Sequence, residues 1–158
     1  MLVWPAAGAV FATFNVFQTS GLDYRLIALG ALAPLIVDLP AGEQSVGHAL
    51  ITPTVGLALV MAVTIGRGRK LRRRRWIAFP IGWYAGLVLL GAWRTKEVFW
   101  WPLFGTEGSG VSLLASWPVV VVAELIGLVA LRWIWLRFGL RDPSRRRVFV
   151  RSGRLSPV

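Results

Sequence analysis

The sequence predicts an all-α integral membrane protein, a bundle of about five transmembrane helices with its N-terminus outside and its C-terminus in the cytoplasm. Three observations lead to this fold class. Of the 158 residues, 56% are hydrophobic and the mean hydropathy is +0.63, whereas soluble domains contain about 45–50% apolar residues. The apolar residues are gathered in separate segments. Between two of these segments, residues 67–75 hold seven of the chain's 18 basic residues.

This stretch, here called the basic segment, determines the predicted orientation. Charge of such density cannot enter the hydrocarbon core, so it indicates a loop between spans. Short loops rich in Lys and Arg stay on the cytoplasmic side of the membrane. We expect its side chains to contact anionic lipid headgroups. They are Arg67, Arg69, Lys70, Arg72, Arg73, Arg74 and Arg75.

The apolar segments are expected to cross the membrane in order, and a helical span needs about 20 apolar residues. They comprise residues 1–17, 24–37, 46–65, 76–93 and 116–136. Pro34 is expected to kink or end the second segment, because proline cannot donate the usual helical hydrogen bond. Residues 1–137 then form the transmembrane domain. Residues 138–158 form a basic cytoplasmic tail, which we expect to be partly disordered.

The distribution of charge supports this layout. Of the 18 basic residues, 16 fall on the predicted inner loops or the tail, and only Arg94 and Lys96 fall outside. This bias predicts a multi-pass protein of the cytoplasmic (inner) membrane, with the lipid bilayer and anionic headgroups as its partners. The net charge of +11 does not indicate nucleic-acid binding, because no recognised binding motif accompanies it. The sequence leaves the oligomeric state open.

Two residue types limit the chemistry. The chain has no Cys, which excludes disulfides, thiolate zinc sites and cysteine nucleophiles. His48 is its one histidine, so a single chain cannot supply the pair of His ligands found in zincin-type proteases.

Four polar residues are predicted to share the outer face, because each lies at or near the outer end of a segment. They are Asp38, His48, Glu97 and Glu124. Such groups can bind a divalent metal such as zinc or act as general acids and bases. Each also has a structural interpretation: a solvated loop acid, an interfacial histidine, an ion pair of Glu97 with Arg94, and a structural hydrogen bond or ion pair of Glu124. Glu124 is the sharpest candidate, because an ionisable group within a span is costly.

The order of sequence landmarks resembles the membrane-bound metal-dependent hydrolase family, most closely its short actinobacterial-type members. The resemblance covers residues 22 to 150 and is carried by short motifs on both sides of the basic segment. They are Leu26–Pro34, Val37-Asp38, Gly47-His48, Phe79–Gly82, Gly91–Trp93 and Glu97–Pro102. In this resemblance Asp38 and His48 match putative metal ligands, and Glu97 and Glu124 are family-like acids. A working site would have Asp38, His48 and Glu124 as ligands and Glu97 as catalytic base.

The chain departs from the family pattern at several expected metal-binding positions. The family has an aspartate where this chain has Leu35, and a His and an Asp near Gly86 and Leu90. The leading hypothesis is therefore a hydrolase-like membrane protein with a degenerate metal site, which binds lipid or a partner without catalysis. One alternative is an active metal-dependent hydrolase acting on a lipid-linked or envelope substrate. The other is a small transporter or channel subunit in which Glu124 carries the proton or gates the path.

Overall fold

The computed structural model describes residues 1–19, 21–66, 70–105 and 110–155, with the side chain of Lys70 left out. Within these ranges the protein is all-helical, as predicted, and Glu43 and Ser112 form an isolated antiparallel bridge. The helices are α1 (Val3–Phe17), α2 (Tyr24–Asp38), α3 (Ile51–Val63), α4 (Lys70–Trp76), α5 (Ala78–Leu90), α6 (Lys96–Phe99), α7 (Trp117–Arg137) and α8 (Pro143–Ser152). Short 3-10 turns occupy Val46–His48 and Ala92–Arg94.

Two helices, α2 and α5, are in contact at the level of their backbones. A Cβ atom added to Gly30 would overlap the carbonyl oxygen of Phe79, and one added to Gly82 would overlap that of Ile27. Only glycine permits this approach, which is typical of helices packed within membranes. The pair α2 and α5 forms the most extensive helix contact among the described elements.

The hydrophobic core lies where α1, α2 and the end of α7 meet the tail. Aromatic rings fill much of it, and the rings of Phe14 and Phe138 meet edge to face at 4.7 Å between centroids. The buried members of the core are Ala7, Ala9, Val10, Tyr24, Ile27, Ala31, Ala78, Ile134, Phe138, Leu140 and Leu155. Three of these, Phe138, Leu140 and Leu155, come from the predicted tail, which therefore shares a core with the helical domain.

Helix length does not support the predicted five-span bundle. Of the described helices, α7 with 21 residues is long and apolar enough to cross a bilayer, at about 32 Å. Helices α1 and α2 have 15 residues each, and α3 and α5 have 13, which gives about 20–22 Å. That is shorter than a hydrocarbon core of about 30 Å.

Three local features add detail to the sequence analysis. Pro34 does not end α2, which continues to Asp38. The basic segment is not wholly a loop, because residues 70–76 form α4; Leu, Lys and Arg are all good helix formers. The tail contains α8, whose first turn is stabilised by Asp142, the N-cap that accepts a hydrogen bond from the Ser144 N–H, and by Pro143.

Candidate functional site

The central feature of the candidate site is a buried pair formed by Asp38 and His48. Asp38 is the last residue of α2, and His48 is the last residue of the 3-10 turn that precedes α3. The Nδ1 atom of His48 lies 2.6 Å from Oδ2 of Asp38, and each residue is 1% exposed. The structure thus brings together two of the residues that the sequence assigned to one face.

The carboxylate of Asp38 is held by the backbone of the following loop. It accepts hydrogen bonds from the N–H groups of Ser45 and Gly47, both at 2.8 Å. Gly47 is needed for this geometry, because a Cβ atom there would lie 2.6 Å from Oδ1 of Asp38. The indole N–H of Trp83 on α5 donates to the carbonyl oxygen of Gly47 at 3.0 Å. These bonds fix the carboxylate, and the carboxylate in turn fixes the imidazole.

His48 also lines a cavity of about 500 Å³. Within the described part of the chain its second ring nitrogen, Nε2, has no hydrogen-bond partner. This atom is also not completely buried. It is therefore open to the cavity. A carboxylate that orients one ring nitrogen leaves the other available as a base or a ligand.

This cavity is here called the outer cavity, because it lies at the end that the sequence predicts to face outward. Its walls are mainly apolar, with a few polar groups. Gln44 and Thr95 meet there, with the Thr95 hydroxyl donating to Oε1 of Gln44 at 2.7 Å. Arg94 also lines it, with its guanidinium 5.5 Å from the ring centroid of Trp93. Sequence reasoning missed Gln44 and Thr95, because neither residue type nor spacing indicates a contact between residues 51 positions apart.

The contacts of Glu124 are with the start of α1 rather than with Asp38 and His48. Its carboxylate accepts hydrogen bonds from the backbone N–H groups of Leu2 at 2.5 Å and Val3 at 3.1 Å. It also lies 3.7 Å from the amino group of Met1. Unpaired N–H groups and the helix dipole make the start of a helix favourable for a carboxylate. Glu124 therefore secures the start of α1 to α7, which matches the structural interpretation of this residue.

Glu97 belongs neither to the Asp38–His48 pair nor to the contacts of Glu124 with α1. It lies in the first turn of α6, is exposed, and lines a separate shallow depression with Lys96, Trp100 and Phe104. Among the described residues it makes no ion pair with Arg94.

These positions do not fit a zinc centre. No group of three His, Cys, Asp or Glu side chains that could hold a metal ion occurs among the residues the structure describes, whereas a catalytic zinc site keeps three protein ligands. Asp38 and His48 are together, and Glu124 is engaged at the start of α1. Asp38 also already accepts three hydrogen bonds.

Four of the predicted lipid-facing residues are described in full, and they lie at the end of the molecule where α4 and α8 are found. Arg72, Arg74 and Arg75 line a cavity on α4, and Arg73 is half-buried beside them. Arg67, Arg69 and the side chain of Lys70 lie outside the described part of the chain.

Comparison with known proteins does not assign this chain to a family. No protein-family model matches the chain, and no curated protein or solved structure matches it either. The resemblance to metal-dependent hydrolases thus remains an expectation from sequence motifs.

Proposed function

We propose that this chain is a multi-pass protein of the cytoplasmic membrane, related to metal-dependent hydrolases, that binds a phospholipid in its outer cavity without hydrolysing it. Its N-terminus lies outside and its C-terminus in the cytoplasm. The observation that carries the membrane assignment is the surface of α7. Only 11% of its most apolar window is buried.

Exposed apolar side chains surround α7, which packs mainly against α1. Val122, Leu125 and Val129 are 57%, 57% and 69% exposed. In water each would lose the free energy of burial, about 1.5–3 kcal/mol for a Val or Leu side chain. Lipid removes that cost, and exposed apolar surface of this extent is typical of membrane contact.

The shorter helices also suit a membrane when their neighbours are included. Helices α4 and α5 are separated by Ile77 alone, so a basic cytoplasmic helix leads directly into an apolar one. Short spans are accommodated by local thinning of the bilayer and by flanking residues that reach the interface. Arginines gather at the end formed by α4 and α8, whereas His48 and Arg94 share the outer cavity with Met1. This separation supports the proposed orientation.

The geometry favours binding over hydrolysis. The outer cavity combines long apolar walls with a few polar groups, as ligand sites for amphipathic molecules do. Glu97 and Glu124 contribute no acid beside His48. Gly86 and Leu90 stand where the family pattern has a His and an Asp.

An active hydrolase is the second candidate, because one observation favours it. Nε2 of His48 is open to the cavity while Asp38 orients Nδ1, an arrangement that supports general-base catalysis. The transporter alternative receives no such support, since the carboxylate of Glu124 is bonded to the backbone of α1.

The orientation is tested first by reporter fusions. A reporter inserted after Arg75 is expected to be cytoplasmic, and one inserted after Gly42 to be outside. An outside signal after Arg75 would overturn the layout.

Lipid binding is tested with purified protein in a neutral detergent, with phosphatidylethanolamine as the probe and native mass spectrometry as the readout. Val119 lines the outer cavity and Val129 does not, so Val119→Trp should reduce retention and Val129→Trp should not. Equal retention in both variants would contradict the proposal. Metal at one equivalent per chain, with hydrolysis lost in His48→Gln, would favour the hydrolase instead.

A further inference from the structure

A second cavity lies at the opposite end of the molecule from His48. It is open to one side, has a volume of about 600 Å³ and is lined by the turn before α2, by α4 and by the end of α8. Its charged lining residues are Asp23, Arg72, Arg74, Arg75, Arg151 and Arg154. Three segments that are distant in sequence therefore bring five guanidinium groups to one place.

Asp23 links the segments that line this cavity through its hydrogen bonds. It is 3% exposed and accepts hydrogen bonds from Arg25 at 3.0 Å and Arg75 at 3.1 Å. The N–H of Tyr24 donates to the carbonyl oxygen of Gly153 at 2.8 Å. Gly153 ends α8 with a φ of 67°, and a Cβ atom there would overlap the carboxylate of Asp23. The end of α8 is thus fixed against the turn before α2.

The arginines exceed the acids available to neutralise them. Asp23 is already paired with Arg25 and Arg75. Within the described residues, the other four guanidiniums of the cavity have no carboxylate partner. Like charges confined to one cavity repel, so an anion there would be stabilising. Guanidinium groups bind phosphate oxygens in a bidentate manner, which makes phosphate the favoured anion.

An apolar groove adjoins the arginine cavity. It is formed by Leu59, Val60 and Val63 of α3 together with Arg72 and Trp76 of α4, and has a volume of about 410 Å³. Arg72 and Trp76 line both spaces. They are four residues apart and so lie on one face of α4. A free phosphate would fill only the cavity, whereas a phospholipid has both a phosphate and an acyl chain.

We propose that these two spaces form one site for an anionic phospholipid of the cytoplasmic leaflet. Its phosphate lies among Arg72, Arg74, Arg151 and Arg154, and an acyl chain lies in the groove along α3. Because α4 and α8 both contribute arginines, the bound lipid joins the basic segment to the tail. This site is separate from the outer cavity and does not depend on the ligand proposed there.

The test uses the full chain in neutral detergent, with phosphatidylglycerol as the probe and native mass spectrometry as the readout. Phosphatidylcholine and inorganic phosphate serve as comparison ligands. We expect phosphatidylglycerol to bind more tightly than either. Arg72→Gln/Arg151→Gln should weaken its binding roughly 30-fold, since each arginine near anionic lipid contributes a factor of about five.

The control variant is Arg141→Gln/Arg146→Gln, which removes the same charge from exposed positions that do not line the cavity. It should bind nearly as well as the wild type. A second variant, Leu59→Trp, fills the groove without changing charge and should weaken lipid binding while leaving phosphate binding unchanged. It keeps the proposal testable if the arginine variant fails to fold.

Three results would overturn the proposal. Equal loss in the two arginine variants would show diffuse electrostatic attraction rather than a site. Phosphate binding as tight as that of phosphatidylglycerol, unaffected by Leu59→Trp, would identify a soluble phosphate ligand. Equal retention of phosphatidylcholine would show that the arginines do not select the headgroup.

Discussion

Gly47 and Asp38 are in such close contact that the position of Gly47 excludes any side chain. A Cβ atom on Gly47 would lie 2.6 Å from Oδ1 of Asp38 and 2.8 Å from the carbonyl oxygen of Pro34. The buried acid and the end of α2 therefore form the wall against which the loop carrying His48 is packed.

Gly47→Ala is accordingly expected to destabilise the protein by about 1–3 kcal/mol, as overpacking of a buried site does. Gly56→Ala is the matched control, because no atom lies within 4 Å of a Cβ added to Gly56 in α3. Alanine there should be neutral or stabilising, since glycine is the poorer helix former. Thermal unfolding in detergent measures both. Similar shifts in the two variants would contradict the packing described at Gly47.

Asp38→Asn should change which ring nitrogen of His48 carries the proton. The carboxylate accepts from two N–H groups and faces Nδ1 of the imidazole, whereas an amide offers one acceptor oxygen and two donor hydrogens. Because His48 is the only histidine, selective ¹⁵N labelling gives one pair of ring signals. We expect the wild type to carry its proton on Nδ1 and the variant to lose that preference. An unchanged spectrum would show that Asp38 does not determine the tautomer of His48.

Protonation of Asp23 at low pH should weaken the contact between the turn before α2 and the end of α8. Burial favours the neutral form of this acid, but hydrogen bonds and charge from Arg25, with the charge of Arg75, outweigh it and hold the pKa of Asp23 below 3.8, its ordinary value. A lowered pKa means that the carboxylate's contribution to stability is present above pH 3.8 and is lost as the pH falls through the folded value. The protection of the α8 amides against hydrogen exchange, taken relative to their intrinsic exchange rate at each pH, should therefore fall in that range. Asp23→Asn should show fast exchange at neutral pH, whereas Glu43→Gln, which lies outside this contact, should behave as the wild type.

Glu124→Gln should loosen the start of α1. The charged acceptor of the Leu2 and Val3 N–H groups becomes neutral, and we expect a loss of about 1–2 kcal/mol. Glu97→Gln makes the same chemical change at an exposed position and should leave stability unchanged. Thermal unfolding distinguishes them. Equal effects would mean that Glu124 does not secure α1.

The sequence predicted the helical fold class and the positions of most apolar segments, because hydropathy reports directly on apolar helices. It did not predict that most of these helices would be shorter than a span. It also did not predict the helices α4 and α8. Their stability depends on long-range contacts, such as those among Asp23, Arg75 and Gly153, that no local pattern reveals.

The candidate site was predicted only in part, for the same reason. Asp38 and His48 are ten residues apart, so a short loop was enough to bring them together, and topology placed both at one end. Glu124 was assigned to that group because an ionisable residue within a predicted span suggests function. Its partners are backbone N–H groups 121 and 122 residues away. Because every residue except proline has a backbone N–H, the sequence does not indicate which of these donors will bind a carboxylate.

The backbone contact between α2 and α5 has a mechanical consequence. Gly30 and Gly82 leave no gap between the two helices, so neither can rotate or slide past the other without a steric clash. The pair runs from the end that bears His48 to the end that bears the arginines. Backbone contact at Gly30 and Gly82 leaves no room for water at these positions, so we expect the two helices to move as one unit.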